Sequence, residues 1–153
     1  MANATFYLLP GGSDSARVTR PADIACQAAA QAYRKGQRVF VHCASQADAE
    51  ALDEQLWQFE PDSFIPHNLV GEGPQGGAPV EIGWAMPNAA LPVNRALLIN
   101  LAPEVPKFAV QFAHIIDFVP ADEQAKAQAR KRFAHYRQLG VNLTTQDLAR
   151  QPF

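Results

Sequence analysis

The stretch RVFVHC, residues 38–43, decides the fold class. It is a short apolar run that lacks the alternation of polar and apolar residues shown by a half-exposed strand. Runs of the same kind follow at 95–101 (RALLINL) and 115–119 (IIDFV). Strands that are apolar on both faces are typical of parallel sheets covered by helices on either side. We therefore expect a three-layer α/β fold, in which a largely parallel or mixed central sheet lies between helices.

Helical patterns alternate with these runs along the chain. A helix is expected to begin near residue 20 and to end at Gly36, because Pro21 suits a first turn and glycine suits a helix end. Ser45, with Asp48 three residues later, resembles a capping box and predicts a second helix. The other predicted elements are strands at 4–9, 80–84, 95–101 and 115–119, the last strand of the chain, with a short helix from Pro103 and a helix at about 122–140.

Length and charge limit the possible classes of protein. The 153 residues suit one domain, with the last residues, about 145–153, expected to be a tail. A net charge of −2 argues against a general nucleic-acid binder, which is usually basic. Residues 1–120 carry 7 Lys or Arg against 12 Asp or Glu, whereas residues 121–153 carry 6 against 3. The carboxy-terminal fifth is therefore the basic end of an acidic protein.

Cysteine usage and targeting signals point to the cytoplasm. Cys26 and Cys43 are the only cysteines, and no motif links them. The amino terminus, MANATFYLLP, lacks the basic and apolar regions of a signal peptide. No window approaches the roughly 18 apolar residues that span a bilayer. We expect a cytoplasmic protein with reduced thiols.

A glycine-rich stretch at 71–77 is a candidate phosphate loop. Its first six residues fit G-x-G-x-x-G, and Gly71 and Gly76 have the spacing of a P-loop. However, Gly77-Ala78 stands where a P-loop has Lys-Ser/Thr, and the following PVEIGW indicates a strand instead of a helix. The pattern therefore favours a surface loop that presents neighbouring side chains over a nucleotide site.

Large apolar residues crowd the segment before these glycines. They include Trp57, Phe64 and Pro66 within WQFEPDSFIPH. Aromatic clusters are common anchors of protein interfaces. From composition alone, the segment either folds these residues under the surface or offers them to a partner.

No catalytic or metal-binding constellation emerges. His42 and Cys43 are adjacent in a predicted strand, so their side chains point to opposite faces and the histidine cannot activate the thiol. The four histidines are scattered without metal-ligand spacing, and G-x-S-x-G is absent. We expect no catalytic residue, no metal and no cofactor.

The last predicted helix carries a basic stripe. At 100° per residue, Lys126, Arg130, Phe133 and Arg137 fall within about 60° of one another. The stripe is either a solvated basic face or a site for an acidic partner that also carries an apolar group. Single-stranded nucleic acid would satisfy the same pattern, although one stripe on an acidic protein favours an acidic peptide.

These segments together resemble the chi subunit family of bacterial DNA polymerase III. The resemblance covers nearly the whole chain, and its most specific blocks are LDEQLW (52–57), SFIPHNLVGEGPQGGAPVEI (63–82) and DFVP (117–120). It implies a nucleotide-binding-domain-like fold without the phosphate loop. It also implies a non-catalytic accessory subunit of the clamp-loader assembly in DNA replication, which reaches DNA only indirectly.

The resemblance also implies two partners. The acidic carboxy-terminal tail of single-stranded DNA-binding protein, which ends in Pro-Phe, would bind a site made by Val119, Lys126, Arg130, Phe133 and Arg137. The psi subunit would bind a surface made by Trp57, Phe64, Pro66 and His67.

The chain departs from the family pattern at two positions. Relatives have Tyr at the position of Phe133 and Lys at that of Ala134, a lost charge that would weaken tail binding. The chain also ends in Gln151-Pro152-Phe153, which loosely copies the tail's own end.

The alternative functions are a nucleotide-binding enzyme or regulator on the same fold, and a direct binder of single-stranded DNA.

Overall fold

The computed structural model of the chain describes residues 2–10, 20–59, 64–70, 78–85 and 95–150. The glycine-rich stretch at 71–77 and the end at 151–153 lie outside these ranges. In chain order the described elements are β1 (Asn3–Leu8), α1 (Pro21–Arg34), β2 (Val39–Cys43), α2 (Gln46–Gln58), β3 (His67–Leu69), β4 (Val80–Trp84), β5 (Leu97–Asn100), β6 (His114–Val119), α3 (Glu123–Gln138) and β7 (Asn142–Asp147).

The described strands form one sheet in the order β3-β4-β2-β5-β6-β1-β7. Every paired strand is parallel to its neighbour. Helices α1 and α2 cover one face of the sheet and α3 covers the other. The three-layer α/β prediction is therefore confirmed, and the parallel alternative holds for the described strands.

Strand β2 lies near the middle of the sheet, and all five of its residues are buried. Val39 and Val41 pack with α1 and α2, whereas Phe40 packs in the core under α3. Successive side chains point to opposite faces, so a strand covered on both faces must be apolar throughout. The continuous apolar run at 38–43 has this cause.

The helix ends follow the predicted capping signals. The Ser45 hydroxyl accepts a hydrogen bond from the Asp48 backbone N–H at 3.2 Å and caps α2. The Asp122 carboxylate caps α3 in the same way. Gly36 and Gly140 follow α1 and α3 with φ of 78° and 82°, a region that favours glycine.

Two predictions in the second half of the chain are wrong. The short helix expected from Pro103 is replaced by bends and one 3-10 turn, Ala109–Gln111. Pro106 explains this difference, because a proline in a second turn removes a helix hydrogen bond. The chain has a strand after 115–119, since β7 pairs along the whole of β1. Residues 145–147 of the expected tail belong to β7, and Leu148 after it is buried.

The sequence pattern did not indicate strand β7, because this strand lies at the edge of the sheet. Its sequence, NLTTQD, contains a single aliphatic residue. An edge strand that faces water needs little apolar surface, so its composition resembles that of a loop. Strand β3, at the opposite edge, was also not predicted and has only three residues.

His42, in β2, is a buried polar residue within an aromatic environment. Its ring packs against Phe40 and Phe108, with centroids 6.4 and 5.4 Å away. Its Nδ1 has no hydrogen-bond partner among the described residues. Burial lowers the pKa of His42 below its usual value of 6.5. A charged imidazolium is therefore disfavoured in the folded protein.

This burial predicts a pH dependence of stability. Below pH 6.5 the unfolded chain binds a proton at His42 that the folded protein does not, so the free energy of unfolding falls as the pH falls. We expect His42→Leu to remove up to about 2 kcal/mol of the loss that the wild type suffers between pH 7 and pH 5. Urea unfolding of both proteins at the two pH values measures this difference. Parallel losses in the two proteins would contradict the prediction.

Candidate functional site

Helix α3 is fixed to the sheet by a buried polar network centred on Asp117 of β6. The Arg132 Nε donates to both carboxylate oxygens, at 3.0 and 3.2 Å. The Tyr136 hydroxyl and the Asn100 amide donate to Oδ2 at 3.0 and 3.1 Å. The Phe118 backbone N–H donates to Oδ1 at 2.7 Å. The Asp117 carboxylate thus accepts hydrogen bonds from two residues of α3, one residue of β5 and its own neighbour in β6.

The ionisation of this network is set by opposing effects. Burial raises the pKa of the Asp117 carboxyl, and the Arg132 guanidinium and the hydrogen-bond donors act against that rise. Since every hydrogen-bond partner donates, both oxygens act as acceptors, which is the arrangement of a carboxylate. The other Arg132 nitrogens donate to the Pro103 and Phe118 carbonyls, so all three nitrogens of the guanidinium are engaged.

The network determines which side of α3 faces outward. Ala129, Arg132 and Tyr136 are the buried residues of the helix. At 100° per residue, the predicted stripe lies about 100–160° around the helix from Arg132. We call its members, together with Val119 at the end of β6, the basic flank; they are Val119, Lys126, Arg130, Phe133 and Arg137.

Phe133 is the half-buried centre of the basic flank. Its ring packs edge-on against Phe6 of β1, with centroids 5.2 Å apart. The Arg137 guanidinium lies 5.2 Å from the Phe133 centroid, a cation–π distance. Val119, also half-buried, packs against the same core cluster. The structure therefore brings an apolar surface and cations together at this flank.

The remaining cations of the basic flank differ in their partners. The Lys126 ammonium lies 3.6 Å from the Glu123 carboxylate one turn earlier. Arg130 is exposed and forms no ion pair or hydrogen bond with any described residue. Arg130 is thus the cation of this flank that is most accessible to an anion.

A second exposed cluster lies at the other end of the sheet. Trp57, in the last turn of α2, and Phe64, just before β3, expose 55% and 65% of their surfaces. Their ring centroids are 5.7 Å apart. We call these two residues the aromatic patch. They are two of four large apolar residues that are exposed in the described part of the chain.

His67 lies beneath the aromatic patch. Its side chain is only 1% exposed, and its ring centroid is 4.7 Å from that of Trp57. Nδ1 lies 2.7 Å from the Ile65 carbonyl, and Nε2 lies 3.2 Å from the Asp53 carbonyl and 3.3 Å from its carboxylate. His67 therefore orients Trp57 and the chain before β3, while its own ring is unavailable for contact. Pro66 is half-buried beside it.

The composition of the segment before the glycines left two interpretations open, and its described residues fit both of them. Ile65 is buried in the core, and Phe59 packs against it. Trp57 and Phe64 are the members that remain exposed. Ile65 and Phe59 thus anchor the segment in the core, whereas Trp57 and Phe64 form an exposed apolar surface.

The thiols of the described region and the cleft beside Arg132 offer little chemistry. Burial raises the pKa of Cys26 and Cys43 to about 12, so both stay protonated at neutral pH. Within the described ranges, no three His, Cys, Asp or Glu side chains cluster as metal ligands, and no helix is both long and apolar enough to cross a membrane. A cleft of about 220 Å³ at the carboxyl ends of β5 and β6 is lined by Arg132, whose charge is already paired with Asp117.

Sequence reasoning missed the Asp117–Arg132 pair. The available signal was an aspartate within the apolar run IIDFV, since a charged residue in a covered strand requires a partner. The identity of that partner depends on how α3 crosses the sheet.

The network predicts that substitution of two arginines of α3 has very different effects on the free energy of unfolding. Arg132→Leu leaves the Asp117 carboxylate buried without its ion-pair partner, so we expect it to lower the free energy of unfolding by about 3–5 kcal/mol. Arg130→Leu, two residues away and exposed, is the matched control and should change it by about 0.5 kcal/mol or less. Urea unfolding measures both. Equal costs would contradict the structural role of the pair.

Known proteins similar to this chain agree on one family. The family model described as DNA polymerase III chi subunit, HolC, matches residues 1–144. The chain is 43% identical over 145 residues to DNA polymerase III subunit chi of Escherichia coli, covering 95% of this chain and 97% of that protein. It is 37% identical over 150 residues to the subunit chi of Pseudomonas aeruginosa, covering 98% and 99%.

Among solved structures, the crystal structure of T4 UvsW shares the fold. The TM-score is 0.62 at 11% identity, and the match covers 96% of this chain and 42% of that one. Such low identity concerns the fold alone. The full-length matches in sequence are specific, and by them the chain belongs to the family of DNA polymerase III chi subunits.

Proposed function

We propose that this chi-family protein is a non-catalytic accessory subunit that connects the clamp-loader assembly to coated single-stranded DNA in the cytoplasm. It does so by binding the psi subunit of DNA polymerase III and the acidic tail of single-stranded DNA-binding protein. The single observation that carries the proposal is the basic flank, where the accessible Arg130 lies one helical turn before Phe133, and half-buried Phe133 and Val119 pack against the same core cluster.

The chemistry of the basic flank suits a tail that is acidic and ends in Pro-Phe. Carboxylates of the tail pair with Arg130 and Lys126, and its terminal aromatic ring packs on Phe133 and Val119. Arg137 is engaged with Phe133 in the free protein, so it orients that ring for the ligand. Since the ion pairs form at an exposed surface, binding weakens as the salt concentration rises.

The aromatic patch suits the psi subunit. Exposed, rigid aromatic pairs are typical anchors of protein interfaces. Trp57 is held in place by the buried ring of His67, so little conformational freedom is lost when a partner docks. Pro66 and His67 support the surface in this proposal, and Trp57 and Phe64 make the contacts.

The two surfaces are far enough apart to bind both partners at once. The aromatic patch lies by β3, the first strand in the sheet order, and Phe133 packs on β1 beside β7, the last. Since β1 is the sixth strand of that order, five strand spacings of about 4.8 Å separate it from β3 by roughly 24 Å. A connecting role requires such separation.

Binding of the tail is testable with a labelled acidic peptide that ends in Asp-Ile-Pro-Phe. We expect fluorescence anisotropy to report salt-sensitive binding that Arg130→Ala weakens by about tenfold or more, because one charge-assisted contact is worth at least about 1.4 kcal/mol. Lys131→Ala is the matched control, since this neighbouring cation is exposed but lies outside the basic flank. Its affinity should stay within about twofold of wild type.

Other results would favour the alternative functions. Equal losses in the two variants would mean that net charge, and not the basic flank, governs binding. Tight binding of oligo-dT without any peptide would indicate a direct binder of single-stranded DNA. A rise in thermal midpoint with ATP, without peptide binding, would favour a nucleotide-dependent protein.

Binding of psi is tested at the aromatic patch. We expect Trp57→Ala and Phe64→Ala each to weaken psi binding by about 2 kcal/mol, as truncation of an interface anchor does. Val110→Ala is the control, because Val110 is 47% exposed in another part of the molecule. Isothermal titration with purified psi measures all three. Unchanged affinity in both aromatic variants would exclude this surface.

A further inference from the structure

We infer that the psi segment that docks on the aromatic patch is basic, with lysine or arginine flanking its apolar anchors. This inference rests on the proposed function of the patch and adds the chemistry of its partner. It follows from the arrangement of acidic side chains on α2 around Trp57.

The orientation of α2 is settled by its contacts on two sides. Ala49, Leu52 and Leu56 are buried against the sheet. Gln55 points toward α1, where its amide donates to the Asp23 carboxylate at 2.8 Å. At 100° per residue, the outward side away from α1 lies about 100–200° around the helix from Leu52.

Trp57 shares this outward side with three carboxylates. They are Glu50, Asp53 and Glu54, which we call the acidic flank. Glu50 and Glu54 are exposed, and Asp53 is half-buried against His67. Every ionisable side chain within α2 is acidic.

The charge of the acidic flank is not neutralised within the described part of the molecule. The Glu50 carboxylate accepts from the Gln46 amide at 3.2 Å, and that of Glu54 accepts from the Gln58 amide at 3.0 Å. Neither forms an ion pair with a described lysine or arginine. The hydrogen bonds from uncharged amides leave both negative charges in place.

A partner that covers Trp57 and Phe64 must also approach these carboxylates. An acidic partner is repelled, and a neutral one removes water from the charges without replacing it. A basic partner gains attraction at the rim of the interface while its apolar side chains pack on the aromatic patch. The segment of psi that docks here therefore has apolar anchors and a basic rim.

The acidic flank also separates the two partners. The acidic tail proposed for the basic flank is repelled here, and a basic segment is repelled by Arg130 and Lys126 at the other edge of the sheet. Opposite charges at two surfaces thus direct each partner to its own site.

The experiment compares two charge reversals of equal size. Glu54→Lys lies one turn from Trp57, whereas Glu104→Lys is an exposed control outside α2 and the basic flank. Asp53 is left intact because it holds His67. Association and dissociation with purified psi are measured by surface plasmon resonance at low and high salt. Glu50→Lys, also exposed, provides an independent second variant.

We expect Glu54→Lys to lower the association rate constant for psi by roughly 3- to 10-fold at low salt, with a smaller change at high salt. Glu104→Lys should stay within about twofold of wild type. If wild type binds psi, Trp57→Ala weakens that binding by about 2 kcal/mol and neither Glu54→Lys nor Glu50→Lys weakens it, the inference is overturned while the proposed function stands. If wild type does not bind psi, both are overturned.

Discussion

The ion pair between Asp117 and Arg132 is the interaction on which the outer surface of this molecule depends. It joins α3 to β6 in a buried environment, where a misplaced charge is costly. Tyr136 and Asn100 complete the network, so the rotation of α3 about its axis is fixed by directional hydrogen bonds as well as by packing. Only with that rotation do Phe133 and Arg130 appear side by side at the surface.

Helices α2 and α3 have a similar distribution of residues around their axes. Each buries one face against the sheet and presents, on an adjacent side, a single aromatic residue among charges of one sign, except for Glu123 of α3, which pairs with Lys126. On α2 the aromatic residue is Trp57 and the charges are acidic; on α3 it is Phe133 and the charges are basic. Because the helices cover opposite faces near opposite edges of the sheet, the molecule carries two unlike surfaces.

The fold itself does not dictate these sites. In open α/β sheets, ligands commonly bind beyond the carboxyl ends of the strands. Here one of the clefts at that edge is lined by Arg132, whose guanidinium already binds Asp117, Pro103 and Phe118. The surfaces proposed to bind partners lie instead on the sides of helices. Only one face of each helix is buried against the sheet, so aromatic residues on the adjacent side can be exposed.

The sequence by itself determined the fold class, most helix ends and the composition of the basic flank. Apolar runs such as 38–43, capping residues and the 100° period act locally, so each can be read from a few neighbouring residues. Strand β7 could not be read in this way, because an edge strand needs little apolar surface. Tertiary structure alone decided that Arg132 is buried, that His67 supports Trp57, and which aromatic residues stay exposed, since these outcomes depend on contacts between residues far apart in the chain.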